Sequence, residues 1–475
     1  MRADPEVVVV GAGFGGLGVA LSLHRAGFRR FTVLERADGV GGVWRDNTYP
    51  GAACDVPSSL YSYSFAPNPE WPRRYAAQPD ILAYLVRASA VVRDRIRFGA
   101  DVVAARFGGG RWRVELADGR SVGADVLVSA VGQLSRPLVP RISGVERFEG
   151  PVFHSARWDH AVDLRGRRVA VVGTGASAVQ FVPAIQPRAR AVTVFQRTAP
   201  HVLPKPDAVR RGAARPVASR AARFGTWLAG EALTALLTSG PVGRGVVAGL
   251  AAAHRRIRVP DRDLRARVRP TTRAGCKRVL FSNDWYPALR APNVELVTEP
   301  IAEVTAYGVR TRDGREHRAD VLVWGTGFAV ADFALPRVTG RDGADLAEVW
   351  AGRPRAHLGM CVPGFPNLFL VYGPNTNLGG NSVLTMIEAQ CRYVVAAVRH
   401  LAATGAASLE VRADVAERFD ARLRDRLAGG VWAGCSSWYR TRDGSITTNW
   451  PGLTWEYLRR TRRLRLADHL VRAEG

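Results

Sequence analysis

Runs of apolar residues alternate with helical patterns at the start of the chain. The first run, Val7–Val10, consists of four valines, which is typical of a strand buried on both faces of a parallel sheet. A glycine-rich turn follows, then apolar residues at helical spacing that end at Gly27, and then a second apolar run, Phe31–Leu34. This order of strand, glycine turn, helix and strand predicts a βαβ unit.

The same pattern recurs in the middle of the chain. Arg168–Val172 precedes a second glycine-rich turn, a helical pattern and the apolar run 192–195. Two Asp-Gly-Arg turns, at 118–120 and 313–315, are each followed after a gap of four residues by Asp-Val-Leu-Val. The repetition predicts an α/β fold with two Rossmann-like dinucleotide-binding domains, the second inserted into the first.

The expected domain boundaries follow from this repetition. Residues 1–150 and 328–475 are predicted to form one discontinuous domain, and residues 151–327 the other. Within the second domain, residues 203–278 carry little strand pattern and much alanine, arginine and glycine, which predicts a helical insertion.

The first glycine turn has the spacing G-x-G-x-x-G, formed by Gly11, Gly13 and Gly16. The first glycine permits the tight turn, the second lets the backbone approach a pyrophosphate, and the third allows the helix to pack closely on the strand. Glu35 lies nineteen residues after Gly16, where a carboxylate can accept hydrogen bonds from ribose hydroxyls. The pattern predicts an FAD site that includes Phe14, although such a turn also occurs without a ligand.

The second glycine turn has alanine in the third position, which is a permitted variant. Its residues are Gly173, Thr174, Gly175, Ala176, Ser177 and Ala178. Arg197 stands nineteen residues after Ala178, where the first copy has Glu35. A carboxylate suits a free 2′-hydroxyl and a guanidinium suits a 2′-phosphate, which predicts NADPH at the second site. An exposed arginine after a strand is also common without any ligand.

Two further stretches resemble the fingerprints of a known family. Residues 148–159 read F-E-G-P-V-F-H-S-A-R-W-D and match F-x-G-x-x-x-H-x-x-x-W-[P/D], the fingerprint of type I Baeyer–Villiger monooxygenases, at every fixed position. The residues that match the family's second fingerprint are Gly42, Val43, Trp44, Tyr49, Pro50, Gly51 and Asp55. In related flavin-containing N- and S-monooxygenases the first fingerprint usually ends in Tyr or Phe, so Trp158-Asp159 favours the Baeyer–Villiger branch.

The resemblance implies a reaction and the residues that support it. NADPH would reduce the flavin, O₂ would add at flavin atom C4a, and the resulting peroxide would attack a ketone carbonyl to give an ester or a lactone. Arg278 matches the family's catalytic arginine, and Asp55 matches the carboxylate that orients it. Arginine suits this position because it stays protonated in a dry site, where it can stabilise a peroxide anion.

Further cofactor contacts are carried over by the same resemblance. Lys277, Arg197 and Thr198 match positions that contact the 2′-phosphate. The remaining candidates for cofactor contact are Tyr61, Val102, Gln180 and Trp438. His154 matches a position between the two domains, so we expect a structural or dynamic role for it and no chemical one.

Some candidate residues also have a plain structural explanation. Asp55 could cap a turn, Lys277 and Arg278 could be solvated charges in a basic segment, and Trp438 could be a core aromatic. Two other functions therefore stay open: a flavin-dependent oxygenase of sulfur or nitrogen, and a non-catalytic FAD- and NADP-binding module. A flavin disulfide reductase is disfavoured because the chain has no C-x-x-C.

The five cysteines are widely spaced and odd in number. This spacing argues against a disulfide framework and a zinc ribbon, and favours a reducing compartment. Since no signal peptide pattern opens the chain, we expect a cytoplasmic protein.

The charge is strongly positive, with 67 Lys+Arg against 42 Asp+Glu and a formal net charge of +25. Residues 203–278 hold 17 basic and 4 acidic residues, a net charge of +13. No nucleic-acid-binding motif accompanies this charge, so we expect no nucleic-acid partner. We expect small-molecule partners, a ketone and O₂, and a contact of residues 203–278 with an acidic membrane surface or an acidic carrier protein.

Overall fold

The computed structural model describes residues 4–207, 216–238, 240–329, 337–435, 439–441 and 443–473. The strands are β1 (Val7–Val10), β2 (Phe31–Leu34), β3 (Ile96–Arg97), β4 (Val102–Gly108), β5 (Arg111–Leu116), β6 (Ser121–Ala124), β7 (Val126–Ser129), β8 (Val152–His154), β9 (Arg168–Val172), β10 (Ala191–Phe195), β11 (Val202–Leu203), β12 (Leu280–Phe281), β13 (Val294–Val297), β14 (Ile301–Thr305), β15 (Gly308–Thr311), β16 (Glu316–Arg318), β17 (Val321–Trp324), β18 (Arg337–Thr339), β19 (Leu368–Leu370), β20 (Ser408–Val411) and β21 (His469–Arg472). The helices are α1 (Phe14–Arg25), α2 (Val43–Asp46), α3 (Gln78–Ser89), α4 (Ala176–Ile185), α5 (Pro216–Thr238), α6 (Pro241–Arg258), α7 (Arg262–Arg267), α8 (Trp285–Leu289), α9 (Leu346–Trp350), α10 (Val383–Thr404), α11 (Ala413–Ala428) and α12 (Thr454–Thr461).

The first parallel sheet has the strand order β19-β7-β1-β2-β3. β1 lies at its centre and pairs in parallel with β2 on one side and β7 on the other. All four valines of β1 are buried, because helices and loops cover both faces of a parallel sheet. Strand β19 comes from the C-terminal part of the chain, so this sheet is assembled from two distant segments.

The second parallel sheet repeats this arrangement with the order β13-β10-β9-β17-β8. β9 occupies the position of β1, pairing in parallel with β10 and β17. The predicted pair of Rossmann-like sheets is thereby confirmed.

A run of three antiparallel strands occupies the same place in each repeat. In the first repeat, β4, β5 and β6 precede β7; in the second, β14, β15 and β16 precede β17. The Asp-Gly-Arg turns join the last two antiparallel strands in each case. Gly119 and Gly314 both have φ +84°, so the two turns share a left-handed conformation that favours glycine.

Helices α5, α6 and α7 occupy the segment for which the sequence predicts a helical insertion. These helices follow β11 and precede β12 in the chain, and the two strands pair in parallel at the base of the insertion. Among the described residues, every single helix is too short or too polar to cross a bilayer; the bent pair Arg220–Thr238 and Pro241–Arg258 reaches that length and composition only together.

The spacing of the cysteines argued against a disulfide framework, but one pair does form a disulfide. Cys276 and Cys435, which are 159 residues apart, form a disulfide with 5.6 Å between their Cα atoms. The other cysteines, Cys54, Cys361 and Cys391, are buried free thiols. Spacing in the sequence did not predict the pair because the insertion meets the C-terminal segment only in the folded chain.

Candidate active site

The first glycine turn leaves the N-terminus of α1 open to an anion. Gly11 has φ +101°, and a Cβ on Gly16 would collide with the carbonyl oxygen of Gly11. Gly13 is the N-cap of α1 and provides no side-chain cap, whereas Asp261 caps α7 and Ser382 caps α10. The first amide groups of α1 are therefore available to phosphate oxygens.

Glu35 is fixed beside this turn at the end of β2. Its Oε2 accepts a hydrogen bond of 2.7 Å from the amide of Ala12, and its Oε1 accepts one of 2.9 Å from the amide of Ala37. Each carboxylate oxygen can accept a second hydrogen bond. The carboxylate is therefore oriented by the backbone and keeps the capacity to bind ribose hydroxyls.

The second fingerprint packs directly on the first glycine turn. Gly42 has φ +53°, and a Cβ there would lie 3.0 Å from the Cα of Gly13. Helix α2 begins at the next residue, Val43, and the indole Nε1 of Trp44 donates to the hydroxyl of Tyr61 at 3.0 Å. The fold thus brings these predicted flavin-site residues together at one turn.

Phe14 and Val102 are two other predicted flavin contacts. The ring of Phe14 is 5.2 Å from that of Tyr61, in an edge-to-face arrangement. Val102 is half-buried at the start of β4 and packs against the core that contains Trp112. Of the pair, only Phe14 contacts Tyr61 and its neighbours directly.

The second glycine turn has the same open helix N-terminus. Gly173 has φ +109° and lies against the carbonyl of Gly325, while Gly175 is an N-cap without a side-chain hydrogen bond. The Thr174 hydroxyl donates to the Thr198 carbonyl at 3.1 Å, which ties the turn to the segment after β10. The residues that form the first turn of α4 are Ala176, Ser177 and Ala178.

Gln180 lies at the interface between the two repeats. Its Oε1 accepts a hydrogen bond of 2.9 Å from the hydroxyl of Tyr49, and its Nε2 donates to the carbonyl of Ala53 at 2.9 Å. Ser177 also hydrogen-bonds to Tyr49. The side chain of Gln180 thereby links α4 to the second fingerprint segment.

Arg197 and Lys277 form a pair of like charges. Arg197 is exposed after β10, and Lys277 is half-buried. Burial lowers the pKa of Lys277, and repulsion from Arg197 lowers it further. Within the described ranges, neither has a carboxylate at ion-pair distance. Two adjacent cations without a counter-ion are suited to bind a phosphate.

Asp55 and Arg278 form a bidentate ion pair. The Nε of Arg278 donates to Oδ2 of Asp55 at 2.7 Å, and Nη2 donates to Oδ1 at 2.8 Å. Burial favours the neutral form of Asp55, but the attraction of Arg278 outweighs it and holds the pKa of Asp55 below its usual value. Asp55 in turn raises the pKa of Arg278, against the effect of burial. The guanidinium is therefore charged and fixed in direction.

A small pocket, partly open to solvent, lies beside this pair. Its wall includes Lys277, Arg278, Thr234, Leu237, Trp432 and Tyr439. Two elements that are remote in sequence, the insertion and the C-terminal segment, therefore meet at Arg278. Trp438, a predicted contact, lies outside the described residues.

Some residues at this site were missed by the sequence analysis. Tyr372 and Tyr439 both interact electrostatically with Arg278, and burial raises the pKa of Tyr439 to about 12. The Nε1 of Trp432 is buried without a hydrogen-bond partner among the described residues. These residues carry no motif, and only their position beside Arg278 distinguishes them from core aromatics.

The sequence of this chain is similar to those of known proteins. A family profile described as pyridine nucleotide-disulphide oxidoreductase matches residues 5–218. A Baeyer-Villiger monooxygenase of Streptomyces coelicolor is 45% identical, covering 98% of this chain and 92% of that protein. One of Pseudomonas aeruginosa is 43% identical, covering 96% of this chain and 89% of that protein.

Solved structures show the same likeness over the full chain. An oxidized steroid monooxygenase bound to NADP matches with a TM-score of 0.88 at 30% identity, and covers 100% of both chains. A cyclohexanone monooxygenase from Rhodococcus sp. Phi1 bound to NADP⁺ matches with a TM-score of 0.87 at 26% identity, with the same coverage. Taken with the fingerprints and the ion pair at the pocket, these similarities show that the chain belongs to the Baeyer–Villiger monooxygenase family.

Proposed function

We propose that this protein inserts one atom of O₂ next to the carbonyl group of a ketone, with FAD as its flavin and NADPH as the electron donor. The observation that carries the proposal is the Asp55–Arg278 ion pair at the wall of the pocket. When bound, FAD reduced by NADPH would activate O₂, one atom of which enters the product while the other leaves as water. The product is an ester or a lactone.

Arg278 supplies a fixed positive charge for this reaction. Asp55 accepts hydrogen bonds from Nε and Nη2 of Arg278, which leaves other guanidinium N–H groups to stabilise negative charge that develops on oxygen. Because Asp55 holds the guanidinium in place, little reorganisation accompanies the reaction. Oxygenation of sulfur or nitrogen needs this cation less, and the ion pair therefore favours the ketone reaction.

The two glycine turns fit the two cofactors. At the first, the open N-terminus of α1 would hold the pyrophosphate of FAD and Glu35 its ribose. At the second, α4 would hold the pyrophosphate of NADPH, and Arg197 and Lys277 its 2′-phosphate. The uncapped helices and the unpaired cations support this assignment.

Other parts of the proposal concern organisation and location. The chain segments that contribute strands to each parallel sheet support an FAD domain of residues 1–150 and 328–475 and an NADPH domain of residues 151–327. A cytoplasmic location stays a prediction, as does a contact of residues 203–278 with an acidic membrane surface or carrier protein.

A ketone panel tests the reaction directly. Purified, flavin-loaded protein would be incubated with NADPH, O₂ and cyclic, linear and aryl ketones, and the products searched by mass spectrometry for one added oxygen atom. We expect esters or lactones in amounts that match the NADPH consumed. Sulfoxides from thioethers without any ester from a ketone would overturn the proposal, as would flavin binding without NADPH turnover.

Arg278→Ala separates the ketone reaction from other oxygenations. We expect the alanine variant to lose roughly 100-fold or more in ketone oxidation, as for loss of one donor that stabilises an oxyanion. Sulfoxidation and reduction of the flavin by NADPH should persist. An alanine variant that oxidises ketones at the parent rate would contradict the assigned role of Arg278.

A further inference from the structure

In the part of α5 and α6 that the structure describes, several large apolar side chains are exposed. On α6, Val242, Val246, Leu250 and Ile257 recur at helical spacing and are 81%, 48%, 55% and 76% exposed. On α5, which packs against α6, Phe224 and Leu228 are 62% and 54% exposed. We call these six side chains the apolar stripe. Large apolar side chains exposed on neighbouring helices commonly mark a binding surface.

The inward face of α5 is fixed to the body of the protein. Arg223 forms an ion pair of 3.1 Å with Glu388 on α10. The buried carboxylate of Glu231 accepts hydrogen bonds of 2.7 Å from Asn381 and 2.6 Å from the hydroxyl of Thr454. These contacts determine which face of α5 points inward, so the exposure of the apolar stripe is a feature of the folded protein.

Within α5 and α6 themselves, the exposed charges have one sign. Residues 216–258 contain six arginines and a single acidic residue, the buried Glu231. Arg220, Arg256 and Arg258 are exposed near the ends of the two helices, and among the described residues none has a carboxylate at ion-pair distance. An apolar stripe flanked by unpaired arginines is typical of helices that lie in a lipid interface.

We propose that α5 and α6 dock on the surface of an anionic lipid bilayer, with the apolar stripe among the acyl chains and the flanking arginines on lipid phosphates. A second copy of this chain fits less well, because a twofold contact would place arginines against arginines. An acidic protein would pair with the arginines but gives no reason for six aliphatic and aromatic side chains between them. A lipid surface accommodates both features.

The docking surface lies on the outer side of a helix that also forms the pocket. Thr234 and Leu237 of α5 line the pocket beside Arg278 from the inside. Docking would therefore place the pocket next to the bilayer, where apolar ketones accumulate. The docking itself does not depend on the oxidation proposed above, and each is tested without the other.

Co-sedimentation with vesicles tests the docking. Flavin-loaded protein would be mixed with vesicles of phosphatidylcholine, with or without about a quarter of phosphatidylglycerol, and the flavin absorbance of the pellet measured. We expect pelleting with the anionic vesicles, and weaker binding as salt is added. Protein that stays in the supernatant with both vesicle types would overturn the proposal.

Variants separate the two components of the surface. Leu250→Ser/Ile257→Ser should weaken vesicle binding roughly tenfold or more, since two large apolar side chains no longer enter the lipid. Arg220→Gln/Arg256→Gln should also weaken it roughly tenfold and remove the preference for anionic vesicles. The matched control is Val86→Ser/Val91→Ser, which changes two valines that are 53% and 60% exposed elsewhere. This control should bind like the parent protein.

Other occupants would give different results. If all variants pelleted like the parent, or if the control fell as far as the Leu250→Ser/Ile257→Ser variant, the proposal would be wrong. Self-association without lipid in sedimentation velocity, abolished by Leu250→Ser/Ile257→Ser, would assign the surface to a second copy of the chain and overturn lipid docking. Flavin content and lipid-free NADPH oxidation confirm that each variant is folded.

Discussion

At the scale of single residues, the decisive contact joins two side chains that are far apart in the chain. Asp55 and Arg278 are 223 residues apart, yet they form two hydrogen bonds. The family resemblance pointed to both residues, but periodicity and composition alone favoured a solvated Arg278 in a basic segment. Only the fold shows that one charge fixes the other.

Lys277 gives a prediction about pH. Its pKa is lowered, first by burial and then by Arg197, so it loses its charge at a lower pH than an exposed lysine does. The KM for NADPH should therefore begin to rise at a lower pH than it would if the lysine at this position were exposed. The total change should be roughly 10- to 100-fold, the contribution of one charge-assisted hydrogen bond.

The KM for NADH is the control, because NADH lacks the 2′-phosphate. It should stay flat over the same pH range. Lys277→Arg should flatten the NADPH profile, since a guanidinium stays protonated. An equal rise for both nucleotides would show that Lys277 does not contact the 2′-phosphate.

At the scale of elements, the second fingerprint has a role besides its predicted cofactor contacts. Gly51 lies against α4 with φ +79°, and a Cβ there would be 2.8 Å from the carbonyl oxygen of Gln180. Tyr49 and Ala53 bond to the side chain of the same glutamine. The sequence predicted Gln180 as a cofactor contact, and its bonds to the fingerprint segment give it a second role at the interface between the repeats.

Gly51→Ala should destabilise the protein by two effects. The left-handed conformation costs roughly 1–2 kcal/mol for alanine, and the contact with α4 adds about 1–3 kcal/mol. Gly99→Ala is the matched control, because Gly99 has φ +63° with nothing within 4 Å of a Cβ. Unfolding in urea should show the larger loss for Gly51→Ala. Equal losses would mean that the contact with α4 is unimportant.

The disulfide between the insertion and the C-terminal segment predicts how many cysteines react with a thiol reagent. Unfolded protein without reductant should react with a thiol reagent at three cysteines, and at all five after reduction. Cys276→Ser without reductant should show four, because Cys435 is released. Five reactive thiols before reduction would exclude the disulfide in the purified protein.

At the scale of the whole molecule, the insertion of the second domain contacts the C-terminal part of the first domain. Glu231 on α5 bonds to Asn381 and Thr454, both of which lie in the C-terminal half of the chain. The excess of positive charge in the sequence marked this segment, but it did not show that one face of α5 lines a pocket and the other is apolar and exposed.

Glu231→Ala should loosen the insertion without unfolding the rest. The buried partners lose their acceptor, which costs about 1–3 kcal/mol locally, and the arginines of α5 and α6 should be cut faster by trypsin. The exposed Glu149→Ala is the control. Mass spectrometry of the first fragments would show whether cleavage begins in the insertion; unchanged cleavage would contradict a fixing role for Glu231.

The sequence by itself determined the two βαβ units, their glycine turns and the acidic and basic residues that follow them. These features are local, because a strand, a turn and the start of a helix are encoded by neighbouring residues. The pairing of Cys276 with Cys435, the meeting of Asp55 with Arg278 and the outward apolar stripe were decided only by the tertiary structure. Each depends on contacts between segments that are distant in the chain, and no spacing or composition encodes which distant segments come together.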